Sequence, residues 1–167
     1  MRRILRQREL VEDDWHYLGE EGTSADGDAS LIIPFAEFRT NGDKWRAYQG
    51  RLGVRLTPPD AVEELTADLA RLQLVAVEFP GPGEGRGYSQ ARLLRTRLHF
   101  TGELRAVGAA VKQDLIFIMA RCGFEAFELA PGQKIEEVLN TFERYTVAYQ
   151  PAEPIPAIRQ QRFFAPA

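Results

Sequence analysis

The stretch from residue 74 to residue 129 constrains the fold most, because strand-like segments alternate in it with helical ones. Short runs of β-branched and aromatic residues indicate the strands, and apolar residues three or four apart indicate the helices. The predicted strands are 31–38, 53–56, 74–79, 102–107 and 126–129, and the predicted helices are 43–52, 61–72, 89–98, 111–122 and 134–145. Such alternation predicts an α/β fold of about five βα units with parallel strands.

The strands themselves alternate between apolar and charged residues, which indicates that only one face of the sheet is covered by helices. The apolar positions are Val75, Val77, Phe79, Leu104, Ala106, Phe127 and Leu129, and the charged ones are Glu78, Glu103, Arg105 and Glu128. This pattern favours part of a (β/α) barrel; the alternative is a doubly wound, flavodoxin-like sheet. Five units cannot close an eight-stranded barrel, so we expect the N-terminal segment, the C-terminal tail or a second chain to cover the polar face.

The chain divides into three predicted regions. Residues 1–30 contain a small hairpin or turn on the edge of the domain and then a mobile connection rich in Gly, Ser, Asp and Glu. Residues 31–148 form the α/β domain. Residues 149–167 form a proline-rich tail that ends near Phe163 and Phe164.

Composition limits the function classes. The net charge is -3, and no basic stripe stands clear of neighbouring acids, which argues against a nucleic-acid partner. The single cysteine cannot form an internal disulfide, and the first residues lack the apolar core of a secretion signal. No apolar run approaches the length of a membrane span. We therefore expect a cytoplasmic protein without a membrane partner.

The glycine-rich loop after the strand at 74–79 predicts an anion site. Backbone N–H groups at the start of a helix attract anions, and the sequence predicts that the helix begins with Ser89 as its N-cap. The proposed anion-binding residues are Gly85, Arg86, Gly87, Tyr88 and Ser89. The loop lacks the lysine of a P-loop and the spacing of a dinucleotide fingerprint, so no cofactor is expected.

Glu78 and Arg105 are the candidate catalytic residues, because both are predicted to lie near strand ends on the polar face. They could simply form a buried salt bridge with each other. An unpaired Glu78 beside Phe79 would instead have a raised pKa and could act as a general acid or base. Ser89 lacks a histidine base and a nucleophile elbow, so its predicted role is a cap. The two histidines have no spaced partners, and we expect no metal.

The predicted helix 111–122 has more apolar residues than one buried face needs. Its predicted inward stripe is Val111, Leu115, Ile118 and Cys122. Ile116, Phe117 and Met119 leave almost no polar flank, so the helix needs burial on two sides. It is either a central helix between neighbours or part of a homodimer surface, to which Phe163 and Phe164 would add.

Five motifs in order give the chain a specific resemblance to the bacterial domain-of-unknown-function family nine-three-four. They are Val11-Glu-Asp-Asp-Trp15, Gly85-Arg-Gly-Tyr-Ser-Gln-Ala-Arg-Leu-Leu-Arg95, Gly102-Glu-Leu-Arg-Ala-Val-Gly108, Arg121-Cys-Gly-Phe-Glu-Ala-Phe-Glu-Leu129 and Val147-Ala-Tyr-Gln150. Members are commonly described as oxidoreductases of sulfite reduction, because their genes lie beside those of sulfite or nitrite reductase. The resemblance implies no assigned reaction.

The chain departs from the family pattern at several positions. It has Glu84 where aspartate is usual, Pro82 where an aromatic residue is usual, and Ala109-Ala110 where Asp-Val is common. This chain therefore has no acidic side chain at position 109 that could act, and Glu78, Arg86 and Arg105 become the stronger candidates for a functional role.

Two functions of different classes follow from the sequence. The first is an accessory protein of assimilatory sulfite reduction that binds a small oxyanion, the sulfite or nitrite reductase, or both. The second is an oxidoreductase-like enzyme that acts on a small anionic substrate on a partial barrel. The absence of a legible cofactor motif favours the first.

Overall fold

The computed structural model describes residues 2–20 and 27–143 of the chain. Its strands form one 8-stranded sheet. They are β1 (Arg3–Arg6), β2 (Glu9–Glu12), β3 (His16–Tyr17), β4 (Leu31–Pro34), β5 (Leu52–Leu56), β6 (Leu74–Glu78), β7 (Glu103–Val107) and β8 (Ala126–Phe127). The α-helices are α1 (Phe35–Thr40), α2 (Gly42–Arg46), α3 (Arg86–Thr96), α4 (Gln113–Arg121) and α5 (Ile135–Glu143), and short 3₁₀ helices span Val62–Leu65 and Leu69–Arg71.

The strand order is β2-β1-β8-β7-β6-β5-β4-β3, and the sheet curls into a half-barrel. Strands β3 to β8 run parallel and lie side by side in chain order. A doubly wound sheet reverses its strand order at a switch point, and this sheet has no such reversal among its parallel strands. The predicted partial barrel is confirmed. Strands β1 and β2 form an antiparallel hairpin that extends the sheet beyond β8.

The two faces of the sheet differ as the alternation predicts. The convex face carries the main core, in which strand residues meet the helices. Its buried strand residues are Leu5, Leu31, Ile33, Leu52, Val54, Leu56, Val75, Val77, Leu104, Ala106 and Phe127. The concave face has a smaller apolar cluster, made of Trp15, Ile32, Leu74, Ala76 and Val107 with Tyr17 against it.

The N-terminal segment covers the concave face. Trp15 is almost completely buried there, and its backbone N–H donates to the Asp13 side chain, which is not exposed to solvent. The backbone continues into β3, which pairs with β4 at the other side of the half-barrel. The sequence allowed three possible covers for the polar face, namely the N-terminal segment, the C-terminal tail or a second chain. The described residues show the first of these. The C-terminal tail and residues 21–26 of the predicted mobile connection lie outside them.

The first helical region differs from the prediction. The strand predicted at 31–38 ends at Pro34, and α1 follows it directly. Phe35, Phe38 and Trp45 then bury one side of the α1–α2 pair. One apolar run therefore spans the end of β4 and the start of α1, and its residue types do not show where the strand ends and the helix begins.

The helix predicted at 61–72 is replaced by the two 3₁₀ helices. Val62, Leu65, Leu69 and Leu72 are all buried, so the predicted apolar face is present. Spacings of three suit the tighter 3₁₀ turn as well as the α-helix, and the sequence pattern does not separate them.

The predicted inward stripe of the helix at 111–122 is wrong at Ile118, whereas Val111 lies in the core and Leu115 and Cys122 pack against it. Ile116 and Met119 are completely buried, whereas Ile118 is 50% exposed. The stripe through Ile118 and the adjacent stripe through Ile116 both satisfy helical spacing, and packing against α5 and the main core selects the second. Two of the three residues assigned to a dimer surface therefore belong to the chain's own core.

Candidate functional site

The carboxyl ends of the parallel strands meet at one end of the half-barrel, which is where barrel folds place their active sites. A cavity of about 460 Å³ opens there, and we call it the mouth cavity. The N-terminal segment and the ends of β5, β7 and β8 form its walls. Its lining residues are Arg2, Tyr17, Leu18, Gly19, Glu20, Arg55, Val107, Gly108 and Glu128.

Arg2 fixes the N-terminal wall of the mouth cavity. Its Nε donates to Asp13 at 2.9 Å, and its Nη1 donates to Glu20 at 3.0 Å. Its Nη2 donates to the carbonyl oxygen of Trp15 at 2.8 Å. All three guanidinium nitrogens are used within the segment, so Arg2 is a structural residue of the wall.

Tyr17 contacts three charged residues of the cavity, namely Glu128, Arg2 and Arg55. Its hydroxyl donates to Oε2 of Glu128 at 2.9 Å. The guanidinium carbons of Arg2 and Arg55 lie 4.6 and 5.6 Å from the centroid of its ring. Burial, together with the neighbouring Glu128 carboxylate, raises the pKa of Tyr17. The hydroxyl therefore stays protonated at neutral pH and acts as a hydrogen-bond donor.

The structure separates Glu78 from Arg105, so the predicted ion pair between them is wrong. Arg105 is completely buried and contacts Asp13 and Glu103, each at 2.9 Å. Glu78 instead pairs with Arg55, at 2.8 Å. The register explains the separation, because Arg105 lies level with Ala76 and Glu78 lies two residues further along β6, level with Val107. Neither proposed catalytic residue is the lone charge that the general acid or base hypothesis requires.

The glycine-rich loop lies at the same end of the sheet, after β6. Helix α3 begins at Arg86, so the expectation that Ser89 is its N-cap is wrong. The backbone N–H of Arg86 donates to Oε1 of Glu84 at 3.0 Å. A carboxylate of the chain itself therefore occupies the position expected for an anion at the helix start.

The five residues of the predicted anion site have different surroundings. Gly85, Arg86 and Ser89 are exposed. Gly87 is buried, and a Cβ atom there would lie 2.6 Å from the ring of Phe79. Tyr88 packs on the same ring with the centroids 5.0 Å apart. Gly87 and Tyr88 thus anchor the start of α3, and only the exposed residues can reach a ligand.

Sequence reasoning missed Arg2, Asp13, Tyr17 and Arg55. The alternation of β5 contained a signal for Arg55, because its register with Ala76 puts it on the polar face. No comparable signal existed for Asp13, whose contact with Arg105 spans 92 positions of the chain. Long-range pairing of this kind depends on the path of the N-terminal segment.

Cys122, at the end of α4, has no sign of an activated thiol. Burial raises the pKa of Cys122. A reactive cysteine has a lowered pKa, so the surroundings of Cys122 are those of a structural thiol.

A family model for a bacterial protein of unknown function (DUF934) matches residues 53–157. The chain belongs to this family. The matched range begins in β5 and includes the glycine-rich loop, whereas the N-terminal segment that covers the concave face precedes it. No curated protein matches the chain. None of the helices in the described residues is both long and apolar enough to cross a membrane.

Proposed function

We propose that this protein is a cytoplasmic accessory protein of assimilatory sulfite reduction that binds a small oxyanion at the start of α3. The observation that carries the oxyanion site is the contact of Glu84 with the N–H of Arg86. A carboxylate and a sulfite ion present similar negative oxygens to a backbone donor. A position that holds the first is chemically suited to the second.

The loop leaves room for such a ligand. A Cβ atom built on Gly81, Gly83 or Gly85 would meet nothing within 4 Å. Gly83 has φ +90°, a conformation that glycine adopts readily. A free oxyanion would displace Glu84 and pair with the exposed Arg86 guanidinium. The helix start contributes about 0.3–1 kcal/mol to this binding, so the affinity should be modest and salt-sensitive.

A binding role fits the two residues first considered for catalysis. Arg105 is enclosed by Asp13 and Glu103, and Glu78 is paired with Arg55. Charges held in this way stabilise the half-barrel and are poorly placed to transfer protons to a ligand. The link to sulfite reduction rests on the family resemblance, and a sulfite or nitrite reductase is the proposed protein partner. A homodimer remains a further proposal.

One observation favours the second function, an oxidoreductase-like enzyme acting on a small anion. The mouth cavity lies at the end of the strands where barrel enzymes hold their substrates. Such an enzyme would use an external cofactor. Turnover of sulfite with added nicotinamide or flavin would support this alternative and contradict the accessory role.

Calorimetric titration with sulfite tests the proposed site. We expect saturable binding to the wild type, and at least a fivefold loss of affinity in Arg86→Ala. The variant Glu84→Ala should bind sulfite more tightly, because it removes the internal competitor.

Arg97→Ala is the matched control, since it removes the same charge from the opposite end of α3. Its affinity should equal that of the wild type. Weaker binding by Glu84→Ala, or equal losses in Arg86→Ala and Arg97→Ala, would contradict the site.

A further inference from the structure

We infer that the mouth cavity binds a small zwitterion of the amino-acid type, with its carboxylate on Arg55 and its ammonium group on Glu128. This site goes beyond the proposed function and uses none of the residues of the glycine-rich loop. Some polar groups of the cavity already have partners in the protein, and others still face the cavity.

Two of the four charged residues are occupied by the wall itself. Arg2 uses its three nitrogens for Asp13, Glu20 and the Trp15 carbonyl. Glu20 uses one oxygen for Arg2 and the other for the backbone N–H of Tyr17, at 3.2 Å. These groups close the N-terminal side of the cavity, and Arg2, with three of its five N–H groups used, has less capacity for a ligand than Arg55.

Arg55 and Glu128 retain hydrogen-bonding capacity. Arg55 is 38% exposed and pairs with Glu78 through Nη2. A guanidinium has five N–H groups, so the rest of its fork can hold a carboxylate. Tyr17 and Arg2 both approach Oε2 of Glu128. In the described part of the chain, Oε1 is therefore left as an acceptor for an ammonium group.

The charge balance selects the class of ligand. The cavity contains two arginines and two glutamates, so its lining is formally neutral. A bare anion would gain contact with Arg55 and also approach Glu128, whose repulsion would offset the gain. A zwitterion places opposite charges on the two residues and satisfies both.

The shape of the cavity agrees with an organic ligand. Its volume of about 460 Å³ lies in the range of small-molecule sites. Leu18, Val107 and the Tyr17 ring contribute apolar surface to the cavity lining beside the two charged groups. A short aliphatic side chain can occupy that surface, whereas an inorganic oxyanion would leave most of it in contact with water.

Calorimetry with three related probes tests this inference. L-Norvaline carries both charges, pentanoate lacks its ammonium group, and butylammonium lacks its carboxylate. We expect norvaline to bind saturably and at least tenfold more tightly than either of the others. Arg55→Gln and Glu128→Gln should each weaken norvaline binding at least tenfold, while Arg97→Ala should leave it unchanged.

Glu128→Gln keeps the shape of the side chain and its acceptor for Tyr17, so it tests the charge even if Arg55→Gln unfolds. No saturable norvaline binding would overturn the inference, as would pentanoate binding as tight as that of norvaline. Sulfite titration of Glu128→Gln separates the two proposals, because the loop site should be intact in this variant.

Discussion

Nη1 of Arg105 lies 2.9 Å from Oδ2 of Asp13, and neither side chain is exposed to solvent. This contact joins the middle of the sheet to the N-terminal segment. Glu103 and Arg2, both partly exposed, flank the buried pair, so that charges of alternating sign run along the concave side of the half-barrel. The N-terminal segment is therefore part of the folded unit, although it lies before the matched family range.

Breaking this buried pair should destabilise the protein strongly. Arg105→Met removes the completely buried partner of Asp13 and Glu103, which keep Arg2 and Arg6 as partners, and we expect a loss of about 1–3 kcal/mol in the free energy of unfolding. Urea denaturation measures it. The double variant with Asp13→Asn should lose less than the sum of the single variants. A loss below about 1 kcal/mol in Arg105→Met would show that the segment is not held by this pair.

The ion pair between Arg46 and Asp68 should make the stability of the protein depend on pH in the acid range. Hydrogen bonds from Arg46 lower the pKa of Asp68. The stabilisation is present above the ordinary carboxyl pKa and is lost as the pH falls through the lowered one. Stability measured from about pH 5 down to pH 2 should therefore fall less steeply in Asp68→Asn than in the wild type. Equal slopes in the two proteins would contradict this assignment.

Helix α4 offers a test of which face is buried. Ile116→Ala should lower the free energy of unfolding by about 2–5 kcal/mol, because it opens a cavity in the core. Ile118→Ala removes the same atoms from an exposed position and should cost much less. Thermal denaturation of the two variants compares the sites directly. Similar losses would mean that Ile118 is covered in solution, as a dimer surface would require.

Gly85 and Gly87, at the start of α3, should differ in how substitution by alanine affects the stability of the protein. Gly87→Ala would push a Cβ atom against the Phe79 ring, and overpacking of this kind costs about 1–3 kcal/mol. Gly85→Ala meets open space and should be neutral or slightly stabilising. Chemical denaturation checks both. Equal effects would show that the loop does not approach Phe79 as described.

Much of the fold could be predicted from the sequence, because it depends on local patterns. Alternation along β6 and β7 identifies the two faces of the sheet, and it correctly predicts a partial barrel. The start of α3 was misplaced because the sequence gives Ser89 the chemistry of a cap, whereas the packing of Gly87 on Phe79 starts the helix earlier.

The candidate site was harder to predict, since it depends on contacts between distant parts of the chain. Tyr17 and Glu128 are 111 positions apart, yet their hydrogen bond forms part of the mouth cavity. Glu78 was correctly placed near a strand end, but its partner, Arg55, could be identified only once the strand register was known.

Sulfide production from sulfite in cells tests the central claim most directly, namely that an oxyanion site at Arg86 supports sulfite reduction. Deleting the gene should lower the rate of sulfide production. The wild-type gene and the Arg97→Ala variant should restore it, and Arg86→Ala should not, with equal amounts of folded protein in each strain. A deletion strain that produces sulfide at the wild-type rate would contradict the account.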